Sequence, residues 1–296
     1  GLTVQGQKSA IVIMQAIETT IERLSGRKPS VFVHAPFSHP ANVTPYAHLK
    51  PVLAYDLAQI SGKDAVLFAT QDKTETLGLW AAVLKQGPST LCLVWPNDMG
   101  GRSLAKFAEG LNIRTQIESK HHAKIAFFAD PASASPAQII EWAEAALSKT
   151  VTGTDLRAEA GLFSHRHADP ASAMLAAHIP GDLSGDVADF GCGWGYLSQI
   201  ILRSAKVTTL HAIDNDKRAV DRTRSNLNDP RLHALWADIT TAPLPGKLDA
   251  VVMNPPFHIN GVESKALGLA FIDRAAKALK KNGTLYLVAN RHLPYE

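Results

Sequence analysis

An apolar run at residues 248–253 leads directly into the sequence Asn254-Pro255-Pro256-Phe257. Two consecutive prolines cannot donate to a β-ladder, so the backbone must leave a sheet here in a stiff, extended conformation. Such a turn would aim the side-chain oxygen of Asn254 and the carbonyl oxygen of Pro255 at one point beyond the strand, with the ring of Phe257 beside it. A flat group that carries an amine fits this place. The pattern therefore predicts chemistry on an amino nitrogen.

A second candidate site is the glycine-rich loop that follows Asp189, with glycines at positions 191, 193 and 195. Closely spaced glycines between a strand and a helix let a ligand approach the backbone, because no Cβ blocks it. A dinucleotide fingerprint needs glycine at the first, third and sixth places, and the sixth place here is Tyr196. The spacing of the glycines therefore argues against an NAD-dependent oxidoreductase.

Two further carboxylates follow the next β-rich runs of the sequence. Asp214 ends the run 207–213, where a carboxylate can accept both hydroxyls of a ribose. Asp238 follows the run 232–236, and a cap of a helix or turn is the alternative interpretation of this residue. A cationic ligand beside this strand end would be attracted by the carboxylate of Asp189, which accounts for an acidic residue at this position.

Together these motifs resemble those of the class I amino-methyltransferases, which use S-adenosylmethionine to methylate exocyclic or amide nitrogens. The Asn-Pro-Pro-Phe turn is similar to their motif IV, and glycines at the first, third and fifth places are similar to their motif I. With His258 directly after Phe257, the chain looks most like the ribosomal RNA guanine-N2 methyltransferases of the bacterial small-subunit and large-subunit types. The resemblance covers residues 160–296.

The resemblance implies methyl transfer from S-adenosylmethionine to the exocyclic N2 of a guanine in ribosomal RNA, and we expect 16S rRNA as the substrate. It implies that Asn254, Pro255 and Phe257 are catalytic and that Pro256, Phe257 and His258 contact the substrate. The residues implied to bind the cofactor are Phe163, Asp189, Gly191, Gly193, Gly195, Asp214, Asn215, Asp238 and Asn254.

Other functions are compatible with parts of this pattern. Adenine-N6 and protein-glutamine methyltransferases also use an Asn-Pro-Pro-aromatic turn, often with tyrosine as the aromatic residue. Phe257 followed by His258, after an α/β first half, favours guanine. A non-catalytic RNA-binding protein with a vestigial cofactor site is a further alternative, against which the intact Asp189, Asp214 and Asn254 argue.

Strand-like and helix-like patterns alternate along the chain, which predicts an α/β fold with mostly parallel sheets. A small, polar segment at 150–155 places the boundary between two domains, residues 1–152 and 153–296. The resemblance implies two tandem doubly wound Rossmann-like methyltransferase domains, of which the first is a degenerate copy that binds RNA or is structural. The family fold continues into two further strands, so we expect a chain that ends at Glu296 to be truncated at its C terminus.

The periodicity of apolar residues predicts the individual elements. In the first half, the predicted helices are 8–25, 46–61, 74–86, 101–110 and 136–148, and the predicted strands are 31–35, 65–69, 90–95 and 124–129. In the second half, the predicted helices are 170–178, 196–202 and 262–281, and the predicted strands are 186–190, 207–213, 232–236, 248–253 and 284–289. Residues 96–102 are predicted to be a turn that starts a helix.

The composition sets broad limits on these interpretations. With 296 residues, 46% of them hydrophobic and 19% charged, the chain is typical of globular proteins with two domains. No apolar run approaches the roughly 20 residues that a membrane span needs. The two cysteines, Cys92 and Cys192, favour reduced thiols and a cytoplasmic protein. We expect a monomer without a metal, and a net charge of +3 does not by itself indicate RNA.

Overall fold

The computed structural model of the protein describes residues 64–120, 122–128, 130–256 and 265–289, with short pieces at 32–33, 62, 258–259 and 262–263. The chain separates into two compact units, which we call unit 1 and unit 2. Unit 1 contains the residues up to Leu147 together with Glu159–Gly161, and unit 2 contains Ser148–Ala158 and Leu162–Glu296. The predicted helices 8–25 and 46–61 lie outside the described residues.

Unit 1 is an α/β structure around one five-stranded sheet. Its elements are β1 (Phe32–Val33), β2 (Asp64–Phe68), α1 (Lys73–Lys85), β3 (Thr90–Pro96), α2 (Leu104–Gly110), β4 (Thr115–Lys120), β5 (Ala123–Phe128) and α3 (Pro136–Ala146). The strand order is β1-β2-β3-β5-β4. The first three strands are parallel, whereas β5 pairs antiparallel with both β3 and β4. The sheet is therefore mixed, and the prediction of a mostly parallel sheet is wrong at this edge.

Strand β4 was not predicted, because it is polar and lies at the sheet edge. It reads Thr-Gln-Ile-Glu-Ser-Lys, and even Ile117 is 37% exposed. An edge strand needs no continuous apolar run, so hydrophobic periodicity does not detect it. The turn between β4 and β5 contains His122, which has a positive φ of 60°.

Aromatic side chains fill the core of unit 1. The ring of Trp80 lies 5.1 Å from that of Phe128 and 5.0 Å from that of Trp142, measured between ring centroids. Trp95 stacks on Phe107 with a centroid distance of 5.7 Å. Trp80, Trp95 and Phe128 are almost completely buried. These large side chains dominate the apolar surface that the helices and the sheet bury against each other.

The predicted turn at 96–102 is confirmed. Two short 3₁₀ segments, Asn97–Met99 and Gly101–Ser103, lead from β3 into α2. A Cβ on Gly101 would lie 2.3 Å from the carbonyl oxygen of Trp95, so only glycine fits there. This glycine is therefore required by packing against the chain itself.

Unit 2 contains a parallel sheet with helices on both faces. Its elements are β6 (Lys149–Thr150), β7 (Arg157–Ala158), α4 (Pro170–His178), β8 (Gly185–Phe190), α5 (Tyr196–Leu202), β9 (Val207–Asp214), α6 (Lys217–Asn226), β10 (Leu232–Trp236), β11 (Leu248–Met253), β12 (His258–Ile259), β13 (Val262–Glu263), α7 (Lys265–Ala278) and β14 (Leu279–Leu287). The strand order of the main sheet is β10-β9-β8-β11-β14, and every pair in it is parallel.

The elements predicted for unit 2 are confirmed, but the last helix and the last strand differ from their predicted bounds at both ends, and helix α6 was not predicted. Helix α7 begins at Lys265 and not at 262, because β12 and β13 form a short antiparallel pair just before it. Strand β14 begins at Leu279 and not at 284, and its pairing with β11 shifts register between Leu248 and Ala250.

Alternate residues of the central strands bury themselves on opposite faces of this sheet. On one face, Val251 and Met253 of β11 pack in a cluster with Phe271 of α7. On the other face, Ala250 and Val252 pack in a cluster with residues of α4 and α5, among them Leu175, Leu197 and Ile201. By the same alternation, Asn254, two positions after Val252, follows on the face covered by α4 and α5.

Candidate active site

The candidate residues of unit 2 meet at the carboxyl edge of its sheet. Met253 is the register partner of Phe190, which in turn is the register partner of Ile213. Gly191, Asp214 and Asn254 therefore each follow directly at the tips of three neighbouring parallel strands, which lie about 5 Å apart. Ligands of parallel α/β sheets bind outside this edge. The structure thus brings the glycine loop and the Asn-Pro-Pro turn together, although they are far apart in sequence.

The glycine loop is held in a shape that needs glycine. Gly191, Gly193 and Gly195 have φ angles of 80°, 54° and 94°, in the left-handed region that other residues rarely adopt. The N–H groups of Gly191 and Cys192 donate to the carbonyl oxygen of Ile213 at 2.8 and 3.1 Å. The loop is therefore fastened to the tip of β9.

Two of these glycines face different surroundings. A Cβ on Gly195 would lie 3.2 Å from both Leu227 Cδ1 and Thr223 Oγ1, so this glycine is packed against α6 and the residue that follows it. A Cβ on Gly193 would have no atom within 4 Å. The backbone at Gly193 therefore borders open space, and a ligand can approach it there.

Asp214 connects the tip of β9 to the loop. Its Oδ2 accepts a hydrogen bond from Gly193 N at 2.9 Å, and its Oδ1 accepts one from Asp216 N at 2.9 Å. Burial raises the pKa of the Asp214 carboxyl above its usual value, and hydrogen bonds from backbone N–H groups oppose that shift. Each carboxylate oxygen keeps a further lone pair for another donor. The neighbouring residue Asn215 accepts a hydrogen bond from Trp236 Nε1 through its carbonyl oxygen, at 2.9 Å.

Asp189 is fully buried in β8, one residue before its end. Its Oδ2 accepts a hydrogen bond from Ser198 Oγ at 2.6 Å, whereas its Oδ1 has no hydrogen-bond partner within the described part of the chain. Burial raises the pKa of Asp189 to about 7, opposed by the Ser198 hydrogen bond and increased by the nearby Asp214. A buried carboxylate with an open acceptor is suited to a cationic ligand, whose charge would lower this pKa again.

The side chain of Asp238 is used in a turn after β10. Its Oδ1 accepts hydrogen bonds from Thr240 N at 2.8 Å and from Thr240 Oγ1 at 2.6 Å. This is the capping geometry that the sequence left open as an alternative. A contact with a cofactor through the other oxygen stays a prediction.

Phe163 lies beside the glycine loop. Its carbonyl oxygen accepts a hydrogen bond from Trp194 Nε1 at 3.0 Å, and its ring is 69% exposed. An exposed aromatic ring of this size next to an open loop is available for contact with a flat ligand. The predicted role of Phe163 at the cofactor is compatible with this position.

The amide of Asn254 has a defined orientation. Its Nδ2 donates to Asp169 Oδ2 and to Ser172 Oγ, both at 2.9 Å. These two bonds use both N–H groups of the amide, so the Oδ1 acceptor is the group left for a ligand. Pro255 is buried and Pro256 is exposed. Phe257 lies outside the described residues, and His258 is described only as a backbone member of β12.

The sequence did not indicate Asp169, Ser172 or Ser198 as members of the site. The sequence did predict a helix over 170–178, and the structure shows Asp169 as the N-cap of this helix α4, accepting from Ser172 N at 2.8 Å. That signal identifies a helix terminus and not its neighbour in space. Only the packing of α4 on the sheet brings Asp169 to Asn254.

Among the residues that the structure describes, no group of three or more His, Cys, Asp or Glu side chains could hold a metal ion. None of the described helices is long and apolar enough to cross a membrane. Cys92 and Cys192 are both buried and free.

Comparison with known families identifies unit 2. Residues 153–296 match the family model of the methyltransferase small domain. This part of the chain is therefore similar to methyltransferase small domains. The prediction of a methyltransferase from the Asn-Pro-Pro-Phe turn and the glycine loop is thereby confirmed.

Curated proteins from Shewanella are similar to parts of this chain. A protein named ribosomal RNA small subunit methyltransferase C from Shewanella sp. (strain MR-4) is 35% identical over 136 residues, which cover 46% of this chain and 40% of that protein. A protein of the same name from Shewanella baltica (strain OS195) is 29% identical over 212 residues, which cover 69% of this chain and 60% of that protein. The chain thus spans about half the length of the curated relatives that it matches.

A solved structure resembles most of the chain. It is the T. thermophilus 16S rRNA N2 methyltransferase in complex with AdoMet and guanosine, with a TM-score of 0.69 and 19% sequence identity. The match covers 90% of this chain and 81% of that one. The likeness confirms the predicted α/β, Rossmann-like methyltransferase fold.

Proposed function

We propose that this chain transfers a methyl group from S-adenosylmethionine to the exocyclic N2 of a guanine in 16S ribosomal RNA. The observation that carries the proposal is the orientation of the Asn254 amide. Both of its N–H groups are held by Asp169 and Ser172, so its oxygen is the atom offered at the tip of β11, beside the glycine loop. An acceptor at that point suits an amine.

The relatives support the choice of substrate. The Shewanella proteins carry the name ribosomal RNA small subunit methyltransferase C, and the T. thermophilus enzyme was solved with AdoMet and guanosine. Residues 153–296, which contain Asn254 and the glycine loop, match the methyltransferase small domain.

The residues at the sheet edge fit S-adenosylmethionine. The open space at Gly193 leaves room for a ligand against the backbone, and Asp214 has lone pairs left for ribose hydroxyls. Asp189 has an unpartnered buried acceptor for a cationic group. Phe163, Gly191, Gly195, Asn215, Asp238 and Asn254 complete the proposed cofactor site. When bound there, the cofactor supplies an activated methyl group on a sulfonium.

Asn254 and the adjoining turn would act on the substrate amine. The 2-amino group of guanine is a poor nucleophile, because its lone pair is delocalised into the ring. Hydrogen bonds from its N–H groups to Asn254 Oδ1 and to the carbonyl oxygen of Pro255 hold the lone pair in position and stabilise the positive charge that grows on nitrogen in the transition state. A strong general base is not needed before that point.

The target base has to leave its stack to reach this turn. We propose that Phe257 stacks on the extruded base, with Pro256 and His258 contributing to the same surface. Stacking on an aromatic side chain contributes about 1 to 3 kcal/mol per base. Pro256 is exposed, as a substrate contact requires.

Unit 1 is proposed to be a degenerate copy of the catalytic domain that helps to hold RNA. In its described part, Gly101 after β3 is packed against the carbonyl oxygens of Trp95 and Pro96, so the backbone at this glycine is not open to a cofactor. We place the enzyme in the cytoplasm as a monomer, with ribosomal RNA or a ribosomal subunit as its partner and without a metal.

The test is transfer of a labelled methyl group to 16S rRNA and, separately, to assembled small subunits, followed by mass spectrometry of the nucleosides. The expected product is N2-methylguanosine, formed by the wild type and not by Asn254→Ala. Methylated adenine would instead identify an adenine-N6 methyltransferase, and label found in the ribosomal proteins of the subunits would identify a protein-glutamine methyltransferase. Binding of the cofactor and RNA without any transfer would identify a non-catalytic RNA-binding protein.

A further inference from the structure

We propose that Asp169 and Ser172 are positioning residues that decide which end of the Asn254 amide faces the substrate. Their role in catalysis rests on the proposed function, whereas their hold on the amide does not. A primary amide has a donor end and an acceptor end of nearly the same shape, and the two ends select opposite ligands. A site for an amine requires that the acceptor end faces outward.

The chemistry of the two partners sets this orientation. An ionised carboxylate such as Asp169 only accepts hydrogen bonds, so the amide nitrogen of Asn254 must be the atom 2.9 Å away from its Oδ2. A flipped amide would place two oxygens against each other. Ser172 Oγ takes the second N–H at 2.9 Å, and Ser172 is itself buried. Both donors are thus occupied inside the protein.

Asp169 is in turn fixed by the helix that it caps. The same Oδ2 accepts from Ser172 N at 2.8 Å and from Asn254 Nδ2, so one oxygen serves both the helix and the amide. Pro170 follows in the first turn with a restricted φ, and Leu175 anchors α4 in the core. The amide is therefore held by a packed helix and not by a mobile loop, which is the arrangement that preorganised sites need.

This arrangement predicts selectivity for amino groups. With Oδ1 outward, Asn254 attracts the N–H groups of an exocyclic amine and repels a carbonyl oxygen at the same place. If the amide could flip freely, it would present its NH₂ group to the substrate amine in half of its orientations, and two donors would then face each other. Asp169 and Ser172 thus act through Asn254 and do not themselves touch the substrate.

Three variants of the full chain separate positioning from helix capping. Asp169→Ser keeps a favoured N-cap but has a shorter side chain that caps α4 without reaching Asn254. Asp169→Asn keeps an oxygen at the position that serves both the helix and the amide. Ser172→Ala removes only the second partner of the amide. Asp72→Ser is the matched control, because Asp72 caps α1 in unit 1 by accepting from Glu75 N at 2.9 Å.

We expect Asp169→Ser to lower kcat roughly 10- to 100-fold, since a misplaced catalytic group has effects of that order. The Kd for S-adenosylmethionine, the KM for RNA and the Tm should stay close to those of the wild type. Asp169→Asn should recover kcat to within about 5-fold of the wild type, and Ser172→Ala should cost about 5-fold, the worth of one hydrogen bond. Asp72→Ser should leave kcat unchanged.

The inference is overturned if Asp169→Ser keeps the wild-type kcat, if its kcat falls only in step with cofactor affinity and Tm, or if Asp169→Asn is as slow as Asp169→Ser. A second readout does not depend on activity. The side-chain NH₂ signals of Asn254, identified by their loss in Asn254→Ala, should be shifted and slow to exchange in the wild type and should become free-amide signals in Asp169→Ser. If the wild type transfers no methyl group, the proposed function fails, and unmoved NH₂ signals would separately overturn the positioning role.

Discussion

The Asp214 carboxylate accepts a hydrogen bond from the backbone N–H of Gly193 at 2.9 Å, which ties the end of one strand to the loop after its neighbour. The same carboxylate also orders the start of the next loop by accepting from Asp216 N. One side chain therefore shapes the proposed cofactor site and offers its remaining lone pairs to the ligand. Because of this double use, a substitution of Asp214 should weaken cofactor binding more than a substitution of a residue that only contacts the cofactor.

We expect Asp214→Ala to weaken the binding of S-adenosylmethionine by about 2 to 3 kcal/mol, because charged hydrogen bonds are lost and the loop loses its tether. Isothermal titration calorimetry measures this directly. At saturating cofactor, the loss of turnover should be smaller than the loss of affinity. A variant that binds the cofactor as tightly as the wild type would exclude Asp214 from the site.

Asn254→Ala should lower turnover more than cofactor affinity, which is the reverse of the effect expected for Asp214→Ala. Removal of one preorganised hydrogen-bonding group from an active site lowers kcat by roughly 100- to 1000-fold, and cofactor affinity should stay within a factor of about two. Single-turnover kinetics and calorimetry give the two quantities. Equal losses of both would mean that Asn254 is structural.

Asn226→Ala is the comparison for that variant. Asn226 Nδ2 donates to the carbonyl oxygens of Arg157 and Trp194, both at 2.8 Å, so its loss should lower the Tm. Asn226→Ala should lower kcat only as far as the loss of folded protein explains.

Gly193→Ala should abolish tight binding of the cofactor at a modest cost in stability. The positive φ of 54° costs an alanine about 1 kcal/mol, and the new methyl group enters the open space where a ligand would lie. Gly153→Ala is the matched control, since Gly153 has a φ of 80° and open space around it but is not part of the glycine loop. Calorimetry should show a loss of cofactor affinity only for Gly193→Ala. Thermal melts should show a similar small decrease in Tm for both variants.

The pH dependence of stability tests the buried carboxyl of Asp189. Its pKa is about 7 in the folded protein and near 3.8 when unperturbed, so between these values the folded state binds more protons than the unfolded state. The stabilising effect of this group is therefore complete below about pH 4 and is lost as the pH rises through about 7. Asp189→Asn cannot ionise and should escape that loss.

We expect the unfolding free energy of Asp189→Asn, relative to the wild type, to rise by about 2 to 4 kcal/mol from about pH 4 to about pH 8. Urea titrations at several pH values measure the difference. Parallel stability curves would show that Asp189 is ionised in the folded state at neutral pH.

The strands of the main sheet of unit 2 and three of its helices could be predicted from sequence because each carries a strong local signal, whereas the polar helix α6 was missed. Strand β11 is a short apolar run stopped by two prolines, and α5 follows a run of glycines. The order of the strand tips follows from the general behaviour of parallel sheets, so the approach of Asn254 to the glycine loop was also predictable.

The remaining features depend on contacts that periodicity does not encode. The antiparallel direction of β5 and the polar edge strand β4 have no apolar pattern to reveal them. Asp169 and Asn254 are 85 positions apart in sequence, so their hydrogen bond follows from the way α4 packs. The orientation of the Asn254 amide, on which its chemistry depends, was therefore out of reach of local reasoning.

The place of β11, one strand in from the edge of its sheet, has a consequence for synthesis of the protein. This strand pairs with β8 on one side and with β14 on the other. While the ribosome has not yet released residues 279–287, a nascent chain would present β11 as an unpaired, strongly apolar edge. Unprotected edges of this kind recruit other strands. The strand that ends at Asn254 is thus the part of unit 2 for which shielding by a chaperone during translation matters most.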